Sequence, residues 1–177
     1  MPQKKRIVQA RHRARELAVQ LLYSLEIRPE QDLDECMSVF TTWGFASDAG
    51  IDEDVKNYMF FLVGEVWRSR HTIDDIMRRI VTGWRLERMV AVDRAVLRIA
   101  VFEGFLKEEV PVAVAISEAV ELARTFGTED SGRFVNGVLA KVLRFMEAEH
   151  RGGGKKTAGT GNDKIHAIST SKDSADS

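Results

Sequence analysis

Residues 93–144 read DRAVLRIAVFEGFLKEEVPVAVAISEAVELARTFGTEDSGRFVNGVLAKVLR, and this stretch decides the fold class. Two turn signals, Lys107 to Pro111 and Gly127 to Asp130, divide it into three segments of helical period. In the middle segment Val112, Ala115, Ile116, Ala119, Val120 and Ala123 share one face, while Ser117, Glu118, Glu121 and Arg124 gather opposite. Pro111 suits a first helical position, and Gly127 offers the positive φ that a helix C-cap uses. The last segment repeats the pattern with Val135, Val138, Leu139, Val142, Leu143 and Met146, behind a start capped by Thr128. The first segment, Val92 to Leu106, is apolar around nearly its whole circumference, which predicts a central, enclosed helix. Glu103 falls on an apolar side of it and therefore demands a buried partner; Arg94 and Arg98, one turn apart, form a seam suited to acids on neighbouring helices.

Outward from this block the same period continues. Ala14, Leu17, Ala18, Leu21, Leu22 and Leu25 form a stripe near the amino terminus. Leu33 to Trp43 predicts a short helix, Val55 to Val66 a longer one entered at Asp52, and Ile73 to Ile80 another capped by Thr72. The total is about seven helices, an all-α fold in two small packed bundles, one around Leu17 to Val66 and one around Ile73 to Met146. Residues 1–10 read as a flexible basic leader, 11–149 as the helical domain and 150–177 as a disordered tail, too polar to offset the entropy of ordering.

Composition narrows the function classes. The 177 residues are 44% hydrophobic and 30% charged, enough for a real core. A single cysteine, Cys36, excludes an internal disulfide or a Cys-based zinc site. No apolar run reaches membrane-spanning length, and the basic start lacks the apolar core of a signal peptide, so a cytoplasmic protein is expected. The four histidines, His12, His71, His150 and His166, are scattered without metal-ligand spacing, and no nucleophile has a base nearby in sequence. The expectation is neither cofactor nor catalysis.

Charge is informative only once it is divided along the chain. The net value of −1 hides Lys4, Lys5, Arg6, Arg11, Arg13 and Arg15 with no acid among residues 1–15, followed by nine acids against Arg28 alone between Glu26 and Asp54. Such segregation builds a local field for an anionic partner. His12, Glu16 and Tyr23 project from the polar side of the same helix, and an aromatic near an arginine cluster suits single-stranded RNA or a protein contact.

Three segments carry a resemblance: RHRARELAVQLLYSLE at Arg11 to Glu26, VDRAVLRIAVFE at Val92 to Glu103, and EAVELARTFGTEDSGRFVNGVLAKV at Glu118 to Val142. Together they resemble the NusB family of bacterial transcription antitermination factors over about Arg11 to Phe145. The resemblance implies two small helical bundles, no enzymatic activity, and binding of boxA RNA in nascent ribosomal RNA transcripts. It also implies partnership with NusE, a small-subunit ribosomal protein, within the RNA polymerase elongation complex and its other Nus factors. On this chain the implied RNA contacts are Arg11, His12, Arg13 and Arg15, with a second patch at Asp130, Arg133 and Phe134; the implied partner contacts are Tyr23, Glu87 and Asp93. The chain departs from the family pattern at Ser117, Gly132 and Ala140. Two other readings stand beside it: a homo-oligomeric helical module, a homodimer through Tyr23 and its neighbours, or a NusB-like RNA-binding partner of an rRNA-modifying enzyme.

Overall fold

The computed structural model describes residues 3–28, 30–40, 42, 51–81 and 85–152. Among them are six α-helices and no strand: α1 (Gln3–Ile27), α2 (Leu33–Val39), α3 (Glu53–Ile80), α4 (Ala91–Val101), α5 (Val112–Phe126) and α6 (Ser131–Gly152). Helices α1 to α3 form a first group and α4 to α6 a second, with α3 also packing on α4 and α6, and both groups contribute to one continuous hydrophobic core.

α4 is the centre. From Ala95 to Val101 every residue is buried, and the helix packs on α1, α3, α5 and α6. The enclosed helix expected to Leu106 is present with one change. Its last turn, Phe102–Leu106, widens into a π-helix, closed by the Lys107 N–H donating to the Phe102 carbonyl at 3.0 Å. Gly104 is required there: a Cβ would come within 2.7 Å of the Ala115 Cβ, so only glycine lets α5 lie this close.

The structure also corrects several boundaries. Val55 to Val66 and Ile73 to Ile80 are one helix, not two, and Thr72 is an interior residue of α3 rather than a cap. The polar run between them reads as a loop because Arg68, Ser69, Arg70 and His71 carry no apolar period. They are good enough helix formers to continue on the surface, helped by Arg68 pairing with Glu65 at 2.8 Å. At its start Asp52 does cap, accepting from the Asp54 N–H at 3.2 Å. The basic leader is likewise drawn into α1 from Gln3 onward, since extending a helix needs no new nucleus and Lys, Arg and Gln favour it. Pro111 is the residue before α5 rather than its first. Gly127 ends α5 at φ −96°, not in the left-handed region. Its role is space, because a Cβ would meet the Ser131 Oγ at 2.4 Å and the Ala123 carbonyl at 2.6 Å. The expected end of the second helix at Trp43, Trp84, and the tail from 153 onward lie outside the described residues.

Candidate nucleic-acid interface

Two patches at the ends of α4 carry the expected RNA-facing residues. The first is the amino-terminal half of α1, where Lys5, Arg6 and Arg11 are exposed and no acid stands in the first turn. Arg6 reaches Asp52 at 3.3 Å. Arg11 lies flat on the Tyr58 ring, 3.5 Å from its centroid, which fixes a planar cation at the surface; Phe61, half exposed, stacks beside Tyr58 at 6.0 Å. Arg13 pairs with Glu16 at 2.8 Å and keeps 43% of its side chain exposed.

Arg15 does not belong to that surface. It is 3% exposed, and its guanidinium grips Glu103 with two bonds, Nε to Oε2 at 2.8 Å and Nη2 to Oε1 at 2.9 Å, with a third to Glu118 at 3.3 Å. The expectation that Arg15 holds phosphate is therefore corrected: its charge is spent within the core, on the partner that Glu103 demanded. Burial alone would lower the Arg15 guanidinium, but the hydrogen bonds and charge of Glu103 outweigh it and hold the group above its ordinary value. Tyr58 completes the cluster by donating its hydroxyl to Glu103. Burial, then that bond and the carboxylate charge, push the Tyr58 hydroxyl up to about 12. In a Tyr23→Phe variant, the remaining tyrosinate absorbance should thus rise only as pH nears 12. Because the folded value lies above the ordinary tyrosine value of 10.0, this group's stability contribution is complete below pH 10 and lost as pH rises through about 12.

His12 faces α5, with Nδ1 2.9 Å from the Glu118 carboxylate and Nε2 3.6 Å from Glu16. Its ring, Glu118 and Glu121 place three potential ligand atoms within 4.8 Å of one another, a grouping that sequence spacing did not reveal. Glu118 is already shared by Arg15 and His12, so the arrangement reads as an ion-pair clasp between α1 and α5.

The second patch is the corner where α6 begins. Ser131 orders it, its hydroxyl accepting from the Thr128 N–H at 2.9 Å, so Thr128 braces the start instead of capping it. Asp130 and Arg133 are exposed and paired at 2.5 Å, and Phe134 is half-buried. Gly132 lets the Arg124 side chain lie across the helix start, where a Cβ would meet its Cγ at 2.7 Å. Between this corner and the segment before α4 is an open cavity of about 450 Å³, lined by Arg88, Met89, Val90, Asp93, Ser131 and Phe134 among others. The second patch lies at the amino-terminal end of α6, whose dipole adds positive potential there.

The partner-facing residues divide. Tyr23 is 39% exposed and stands one turn from Ile27, which is 53% exposed. The Glu87 side chain lies outside the described residues. Asp93 is 4% exposed, so the expectation that it stands on an open partner-facing surface is corrected: it forms part of the cavity wall beside Ser131, within reach only of a group that enters the cavity. Burial pushes its carboxyl up from the ordinary value, against a hydrogen bond from Ser131 that lowers it. The folded value being raised, the carboxylate's burden is absent below pH 3.8 and grows as pH climbs through the folded value. Asp93→Asn should therefore raise the urea midpoint at neutral pH, with the gain vanishing in acid.

The second charge network is structural. Arg98, 5% exposed, binds both oxygens of Asp74 at 2.8 Å and Glu26 at 2.5 Å, and Arg94 reaches Glu26 at 2.7 Å, which ties α1, α3 and α4 together. Cys36 is buried and burial pushes its thiol up, away from nucleophilic use. No helix among the described residues is long and apolar enough to cross a membrane.

Comparison with known proteins agrees with this architecture. The family model described as NusB family matches residues 12–144. Among curated relatives, the transcription antitermination protein NusB of Symbiobacterium thermophilum is 43% identical over 141 residues, covering 78% of this chain and 92% of that protein. The protein of the same description from Anaeromyxobacter sp. is 44% identical over 141 residues, covering 80% and 94%. Among solved structures, T. maritima NusB superposes with a TM-score of 0.66 at 32% identity, covering 76% of this chain and 90% of that one. A chain from a crystal structure of the antitermination factors NusB and NusE in complex with dsRNA superposes with a TM-score of 0.67 at 25% identity, covering 77% and 98%. The helical architecture built around the enclosed α4, together with a family match spanning most of the chain, places this protein in the NusB family.

Proposed function

We propose that this chain is a cytoplasmic transcription antitermination factor, without catalytic activity, that binds boxA RNA in nascent ribosomal RNA transcripts. In this reading it acts together with NusE and joins the RNA polymerase elongation complex. The observation that carries it is the placing of Arg11 and Arg13 at one end of α4 and of Arg133 with Phe134 at the other. Asp93 at one end and Glu103 at the other are ten residues apart, about 15 Å of helix. At about 3.4 Å per stacked nucleotide, a strand of roughly four nucleotides or more spans both patches. The description of a related chain in complex with NusE and dsRNA supports the same reading.

The test is a titration of boxA RNA into the protein at rising salt, with and without purified NusE. Each neutralised phosphate on a single strand contributes a slope of about −0.7 in log affinity against log salt, so about four contacts give a slope near −3. An affinity indifferent to salt would overturn the reading. Tyr23 with Ile27 supplies an exposed apolar pair suited to NusE or to a second copy of the chain. Sedimentation over a concentration series separates those two, since self-association through that pair competes with NusE.

A further inference from the structure

We propose that Asp93 reads the base that enters the cavity at the α6 corner, accepting a hydrogen bond from an exocyclic amino group and so selecting cytosine, adenine or guanine over uracil. The inference rests on the RNA-binding reading above and adds which bases the site prefers.

Three carboxylates are buried among the described residues, and they are treated unequally. Both oxygens of Asp74 are held by Arg98, at 2.8 Å each, and both oxygens of Glu103 by Arg15, at 2.8 and 2.9 Å. Asp93 is 4% exposed, with the Ser131 hydroxyl as a hydrogen-bond donor, yet its Oδ1 has no hydrogen-bond partner among the described residues. A buried carboxylate oxygen without a donor is costly, and it gains most from a ligand that brings one. Asp93 also lines the cavity of about 450 Å³ that opens beside the proposed phosphate-binding arginine, Arg133.

The rest of the lining suits a single unstacked base. Phe134, half-buried, offers an aromatic plane, Met89 and Val90 form an apolar wall, and Arg88 stands exposed at the rim for a phosphate. A base inserted along Phe134 turns its edge toward the cavity floor. Cytosine N4 and adenine N6 carry exocyclic N–H donors and guanine carries N2, whereas the one donor on uracil's pairing edge, N3–H, lies between two carbonyl oxygens whose lone pairs oppose a carboxylate. Burial raises the Asp93 carboxyl, which means the empty site holds its charge at a disadvantage that an amino donor relieves.

Fluorescence anisotropy with labelled all-cytidine and all-uridine RNA octamers tests this on the wild type, Asp93→Asn and Asp93→Ala. The wild type should bind the cytidine octamer on the order of tenfold more tightly. Asp93→Asn keeps the shape but offers an amide N–H to uracil O4, so the ratio should fall to unity or reverse, and Asp93→Ala should abolish it. An unchanged ratio in both variants, with melting curves showing them folded, overturns the proposal, as does equal affinity of the wild type for both octamers. If the wild type binds neither octamer and no boxA RNA at any salt, the RNA-binding reading itself fails, and the base-reading role falls with it.

Discussion

Arg15→Ala is expected to destabilise the protein by roughly 3–5 kcal/mol, because it strands a buried carboxylate without its counter-ion. Glu103 is 1% exposed and receives both bonds of the guanidinium, and Tyr58 donates to the same group. Domains of this kind are stable by about 5–15 kcal/mol, so the loss is a large fraction of the total and a urea midpoint reads it directly. Adding Glu103→Gln to the variant removes the stranded charge and should recover part of the stability. The same substitution made on an RNA-facing arginine would leave the midpoint nearly unchanged. If Arg15→Ala kept its midpoint while losing RNA, Arg15 would have to be returned to the binding surface.

The second large effect is expected on binding. Arg11→Ala, Arg13→Ala and Arg133→Ala combined should weaken RNA binding at low salt roughly 100-fold, taking about 1 kcal/mol for each charge-assisted contact. The salt slope should become shallower by about 2, which is three contacts at about 0.7 each. Stability should change little, because Arg133 is 85% and Arg13 43% exposed and exposed ion pairs contribute about 0–1 kcal/mol. Anisotropy titrations at several salt concentrations check both numbers. An unaltered slope would place the RNA elsewhere on the molecule.

Period and punctuation are local, so the enclosed α4 and the amphipathic α5 and α6 could be read directly from Val92 to Met146. The need of Glu103 for a partner was equally plain, from its place among apolar neighbours. The identity of that partner was not, since Arg15 lies 88 residues away and sits at the edge of its own apolar stripe, where helical angles leave burial undecided. The resemblance marks Asp93 as a partner contact, and no local pattern reveals that the start of α6 covers it through Ser131. The exposure of Arg11, Asp130 and Arg133 agrees with their polar places on the helix surface, whereas the role proposed for Asp130 and Arg133 came from the resemblance alone.

α3 has a consequence for how the chain is made. Its 28 residues form a rod of about 42 Å that belongs to both bundles, tied by Asp74 to Arg98 on α4, so neither bundle has all its walls alone. A growing polypeptide leaving the ribosome must therefore hold its first helix, with Arg15 unanswered, until Glu103 has emerged far behind it. The two halves therefore gain their shared buried ion pair only once α4 has been made.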